Sequence, residues 1–411
     1  MKKRNFIKYM TLGAITPSTV LQFPDWQSPE SDDFWDNIRS KYIIKPDYVN
    51  LENGYYNIMP QDILLDYEKN LARVNREGSY YMRRNLTDDK INIRKSLAKL
   101  VGCDYEELII TRNTTESLDT IIAGYDWKEG DEAIMAEQDY GSMLDMFKLQ
   151  AKRYGMVNKM ISIPNHPKTD EEIVELYRAS ITPKTKLIMV CHMINITGQI
   201  LPIRKICNMA HELGVDVMVD GAHTIGHINF KISDLGCDYF GSSLHKWLSV
   251  PLGNGLLYVN KNKIKNVWQL FGDLGYADND IRKLNHTGTQ PIATELTIPK
   301  AIEFYNQIGA ENKENRLRFL KNYWVEKVKD LPNVVINTPF ENERSCGIAN
   351  IGIKNLEPSK LASILLNEYK IWTVAINYAN VFGCRITPNV YTNTKELDVF
   401  VNAIKEISKK Y

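Results

Sequence analysis

The sequence predicts an α/β fold: a mostly parallel sheet flanked by helices, followed by a smaller α+β domain at the C-terminus. Three observations carry this. From residue 47 onward, short apolar runs alternate with amphipathic stretches, the pattern of strand–helix repeats. The runs LIMV (187–190) and VDVMVD (215–220) lack polar alternation, as strands covered on both faces should. After Gly309 the texture changes to a long charged helix and a second group of short strands. The expected division is a large domain over 47–309 and a small one over 310–411, with contributions from the N-terminal segment.

In chain order, strand-like runs fall at 107–111, 132–136, 157–163, 186–191, 215–219, 239–242 and 255–259. Helix-like stretches lie between them at 114–124, 142–154, 171–180 and 202–213. Beyond Gly309 a helix is expected at 313–329, then strands at 334–336 and 347–353. Helices at 359–368 and 395–409 flank a further strand around Arg385.

Composition narrows the function classes. The 411 residues carry 51 basic and 50 acidic side chains, a net charge of +1, which argues against a basic nucleic-acid-binding surface. The six cysteines are scattered without a CxxC, so neither a disulfide framework nor a zinc site is expected. No apolar run is long enough to insert into a membrane. Residues 1–30 open with Lys3-Arg4-Asn5-Phe6-Ile7-Lys8 and a weakly apolar stretch. This order resembles the twin-arginine export signal with lysine in place of the first arginine. Residues 1–30 are therefore expected to be an export signal and linker that send the chain to the periplasm. The alternative is the basic N-terminus of a cytoplasmic protein.

The most informative stretch runs from residue 217 to 259. Asp220 closes a hydrophobic strand, where the ligand crevice of an open α/β sheet lies. Lys246 comes 26 residues later, inside SSLHKW. A strand-end aspartate alone is usually a turn former, and a lone lysine a surface charge. Together they suit pyridoxal phosphate chemistry. The lysine amine condenses with the cofactor aldehyde, and the aspartate keeps the ring nitrogen protonated so that the ring accepts electrons.

DGAH, SSLHKW and the glycine-rich return PLGNGLLYV stand in order at compatible spacing. This set resembles the class V aminotransferase family of fold type I pyridoxal phosphate enzymes, most closely its isopenicillin N epimerase-like branch, from about Tyr48 to the C-terminus. The resemblance implies pyridoxal 5'-phosphate as cofactor and no metal. It implies Lys246 and Asp220 as catalytic residues, with Thr114 and Thr115 at a phosphate loop opening a helix. It places Tyr140 against the cofactor ring, Asn195 near the phenolic oxygen, and His223 on the ring. Ser243 and His245 would hold phosphate beside Lys246. Gly288 and Thr289 would reach the phosphate of a partner subunit, which implies a homodimer. Arg385 would bind the substrate α-carboxylate through its fork.

The resemblance further implies that Lys246 removes a proton from Cα of an amino acid or amino-acid-derived substrate. The fate of that carbon stays open: an epimerase-like outcome, transamination, or β-lyase or desulfurase-like chemistry. A desulfurase thiolate is disfavoured, because Cys384 is directly beside Arg385 in a strand-like run and the two should face opposite ways. A non-catalytic cofactor-binding sensor is the remote alternative. Walls for a substrate are expected from the neighbourhoods of Tyr55-Tyr56 and Tyr80-Tyr81.

Overall fold

The computed structural model describes residues 32–411; the expected export signal at 1–30 lies outside the described residues. A seven-stranded sheet occupies the centre. Its strands are Leu108–Thr111 (β1), Glu132–Ala136 (β2), Val157–Ile161 (β3), Thr185–Cys191 (β4), Asp216–Asp220 (β5), Tyr239–Ser243 (β6) and Gly255–Val259 (β7). The spatial order is β1-β7-β6-β5-β4-β2-β3. Strands β2 to β6 pair in parallel, and β7 runs antiparallel between β1 and β6.

The central strands are covered on both faces, as their unbroken hydrophobicity predicts. Val217, Val219, Ile188 and Val190 point into one apolar cluster. Their neighbours Met218, Leu187 and Met189 point into another, on the opposite face. That split is the two-residue period of a strand. Helices Thr114–Gly124, Gly141–Tyr154, Asp170–Ser180 and Ile203–Glu212 fill the crossovers.

The chain after Gly309 forms helix Ala310–Val328 and a four-stranded antiparallel sheet. The strands are Val334–Ile336 (β8), Ala349–Ile353 (β9), Val374–Tyr378 (β10) and Val381–Ile386 (β11), ordered β10-β11-β9-β8. Helix Thr394–Lys410 opens on a full capping box between Asn393 and Glu396. Its Phe400, Ala403, Ile404 and Ile407 recur at helical spacing and bury against Leu320 and Trp324.

Two long helices, Gln61–Arg84 and Leu86–Val101, carry no sequence-based expectation. The first is strongly polar and buries only Ile63 and Tyr81 within its span, so no continuous apolar stripe marks it. It is also kinked at Gly78, whose φ of 51° and ψ of −128° depart from the helix.

Candidate active site

Five parallel strands present their C-terminal ends on one side of the sheet, and the candidate site gathers there. Asp220 ends β5, Ser243 ends β6 and Cys191 ends β4. Tyr140 caps the helix after β2. The eleven-residue return from β6 to the antiparallel β7 carries His245, Lys246 and Trp247. It is tied at its base by the Leu244 N–H donating to Asn254 O at 3.0 Å. Between these ends lies a cleft of about 300 Å³, walled by Tyr55, Tyr56, Thr114, Thr115, Tyr140, Asn195, Asp220, His223, Ser243, His245 and Lys246 among others.

At one end, the helix Thr114–Gly124 meets the end of β6. The Thr114 N–H donates to Ser243 Oγ at 3.0 Å, and the two hydroxyl oxygens are 2.7 Å apart. Asn113 caps the helix through Glu116 N at 2.9 Å. The Glu116 carboxylate passes the N-cap amide and accepts from Arg112 N instead, so only half of a capping box forms. Hydroxyls and a helix N-terminus converging on one spot form a donor set suited to a phosphate dianion.

In the middle, Asp220 is buried, with Oδ1 accepting the Ala222 N–H at 2.9 Å. Among the described residues it makes no salt bridge. Burial pushes its carboxyl up, opposed by the Ala222 N–H and by Lys246. A buried carboxylate of this kind calls for a cationic partner, and a protonated pyridine nitrogen supplies one. Desolvation lowers the Lys246 amine to about 8. Its Nζ stands 3.0 Å from His223 Nε2. Burial, with Lys246 next in effect, keeps His223 far below its ordinary value, so its ring is neutral. Tyr140 is 40% exposed on the rim, and His245 stacks on Tyr56 with ring centres 6.4 Å apart. Asn195 is buried on the wall, its Oδ1 without a partner among the described residues. The residues present therefore fit pyridoxal phosphate.

Three of the expected residues lie outside the cleft. Gly288 and Thr289 are exposed, and Gly288 lines a separate cavity with Lys90, Arg94 and Gln290. Arg385 is fully buried behind the cleft wall. Its Nε and Nη2 hold the Glu52 carboxylate at 3.0 and 2.6 Å. Its fork is thus already filled by a side chain of the same protein. Cys384 faces the other way, as strand alternation requires, and packs in the apolar core under the second sheet. Tyr55 and Tyr56 line the cleft, while Tyr80 and Tyr81 do not. Cys191 and Met193, beside the expected Asn195, also line the cleft, and Glu52 reaches its wall only through Arg385, a contact distant along the chain.

A parallel α/β sheet with a lysine, an aspartate and a phosphate-type cradle at its strand ends defines a pyridoxal phosphate enzyme of fold type I. The family described as aminotransferase class-V matches residues 60–375, and the chain belongs to it. The isopenicillin N epimerase of Streptomyces clavuligerus is 24% identical over 391 residues, covering 91% of this chain and 98% of that protein. A probable cysteine desulfurase of Halalkalibacterium halodurans is 26% identical over 324 residues, covering 72% of this chain and 78% of its own length. A solved structure of a C-DES mutant with glycine covalently linked to its PLP cofactor has the same fold. Its TM-score is 0.82 at 19% identity, covering 90% of this chain and 99% of that one.

Proposed function

We propose that the enzyme removes the proton from the amine-bearing carbon of an amino acid or amino-acid-derived substrate and returns one there, in the manner of an isopenicillin N epimerase. The observation that carries this is Lys246, its amine lowered to about 8, beside the neutral His223 in the cleft that the Thr114–Ser243 cradle also lines. Pyridoxal phosphate, when bound, supplies an aldehyde that captures amines and a ring that takes up the electrons left on the carbon.

The rest is the work of side chains. Thr114, Thr115, Ser243 and the helix N-terminus anchor the phosphate end. Asp220 holds the opposite end by keeping a proton on the ring nitrogen, and Tyr140 covers a face. Lys246 near neutrality is in part a free base, able to take a proton from carbon and to return it.

Thiolate chemistry finds less support. Cys384 is buried, its Sγ 3.6 Å from Pro358 O, and its thiol is pushed up to about 12. Cys191, on the cleft wall, is held well above its ordinary value by burial. The decisive test is the purified enzyme with a panel of amino compounds in deuterated water, products read by mass and chirality. Deuterium gain and loss of chirality, with no other change in mass, supports the reading; a keto product or released sulfur overturns it.

A homodimer is part of the same proposal. Leu274 is 93% exposed and Trp268 68%, on the segment leading to Gly288, an apolar surface suited to burial against a second copy. Sedimentation giving only monomers at activity-assay concentrations contradicts it. Export through residues 1–30 is also proposed, on KKRNFIK alone; a fluorescent fusion of that segment that stays cytosolic contradicts it.

A further inference from the structure

The wall of the cleft conceals a carboxylate receptor that the chain fills itself. Arg385 and Glu52 pair through two contacts, with side chains 0% and 4% exposed. The Glu52 Oε1 also accepts the N–H groups of Gly54 and Tyr55 at 2.8 and 3.0 Å. A guanidinium fork and two convergent amides are together a complete anion site. Gly54 belongs to it, because a Cβ there would stand 2.9 Å from the guanidinium carbon. The segment is held in place by pairing across the fold. The Leu51 N–H donates to Trp372 O, and Thr387 N–H donates to Leu51 O at 2.8 Å. That pairing carries Glu52 to Arg385.

The receptor adjoins the cleft. Arg385 donates to Asn195 O at 3.1 Å and lies 4.2 Å from the centre of the Tyr55 ring, and Asn195 and Tyr55 both line the cleft. The guanidinium on the cleft wall itself, Arg112, is at the Thr114 end and pairs with Glu116 at 3.2 Å. A free carboxylate arriving near Tyr55 would have to expel Glu52. That tethered group competes at high effective concentration, and once expelled it would be a charge without a partner in a dry site. The unpartnered Asn195 Oδ1 on the same wall is an acceptor, which suits an incoming N–H rather than a second anion.

We propose that Glu52 determines specificity: by occupying Arg385 it turns away substrates with a free carboxylate on the amine-bearing carbon. It directs the site to amino-acid-derived amines whose α-carboxyl is capped as an amide. This rests on the proposed chemistry at that carbon and names its substrate class.

The test uses the holoenzyme and matched pairs of amino acids and their primary amides, with the cofactor absorbance reporting amine exchange. Wild type should reach half-saturation with amides at concentrations at least about tenfold below the matching acids. Glu52→Ala should reverse that order. Acetate should raise the melting temperature of Glu52→Ala, by refilling the receptor, and leave wild type unmoved. If Glu52→Ala does not fold, Glu52→Gln, which keeps the shape and loses the charge, should narrow the wild-type preference. Equal or better saturation of wild type by free acids overturns the proposal. So does a Glu52 variant with unchanged preference. If no amine of either kind shifts the absorbance, the underlying functional reading fails and this assignment falls with it. The acetate response of Glu52→Ala then still reports whether the receptor was built as described.

Discussion

The indole N–H of Trp247 donates to His223 Nδ1 at 3.3 Å, while His223 Nε2 faces the Lys246 amine at 3.0 Å. A neutral imidazole carries one proton. With Nδ1 accepting from the indole, that proton sits on Nε2, and the lysine amine must accept it. Adjacent residues of one loop thus set the tautomer of His223 and favour the free base of Lys246, in line with its lowered value of about 8. Behind them, the Trp247 ring packs 3.8 Å from His227, whose Nε2 accepts the Gly347 N–H at 2.8 Å.

The first prediction concerns pH. Below about 8 the Lys246 amine is protonated and inert toward an aldehyde; above it the amine is free. Cofactor loading of the stripped enzyme, monitored by absorbance, should have its midpoint near 8 rather than near the ordinary lysine value of 10.5. Trp247→Phe frees His223 to accept from the ammonium instead. The midpoint should then rise by about one unit, the worth of one hydrogen bond. An unmoved midpoint contradicts the tautomer assignment.

Asp220→Asn should retain cofactor and lose most activity, because an amide cannot hold a proton on the ring nitrogen. The loss of a charge-assisted partner in a buried site is worth about 2–4 kcal/mol, or about 30- to 1000-fold in kcat. Activity within about threefold of wild type contradicts the role.

Lys313 lies buried under the same loop, donating to Trp247 O at 2.5 Å. Burial lowers it to about 7 from 10.5. Between those values the unfolded chain binds a proton that the folded chain does not. The stability contribution of this site therefore rises with pH across the window. Lys313→Met removes that slope. The variant's stability relative to wild type should fall by about 3–4 kcal/mol from pH 7 to pH 10 in urea melts. A constant difference across that range contradicts the assignment.

Breaking the buried pair should be costly from either side. Glu52→Ala and Arg385→Ala should each destabilise by about 3–5 kcal/mol, since each leaves a buried charge uncompensated. The double variant should cost clearly less than the sum. Denaturant midpoints check this, and additivity contradicts the pairing.

Much of this arrangement was legible in the sequence, and the exceptions have physical causes. Asp220, His223, Ser243, His245 and Lys246 sit within one strand–loop–strand unit, so spacing along the chain brings them together. Thr114 and Thr115 were legible because a strand-to-helix turn marks its own N-terminus. Alternation into two clusters explains why 187–190 and 215–220 read as doubly buried strands. Glu52 left no such mark. It reaches Arg385 across 333 residues, through a backbone pairing that no local pattern announces. The polar helix Gln61–Arg84 was silent because it lacks a continuous apolar stripe. Gly288 and Thr289 lie away from the cleft of their own chain, and their expected role rests on the proposed contact with a second copy.

Every proposed role depends on Lys246 being the residue that would capture the cofactor aldehyde. Borohydride reduction of the yellow holoenzyme, then proteolysis and mass mapping, tests it directly. The expected result is the pyridoxyl mass on the peptide containing SSLHKW, at Lys246, and no cofactor retention after reduction of Lys246→Ala. A pyridoxyl label on another lysine, Lys313 or Lys321 included, would contradict it.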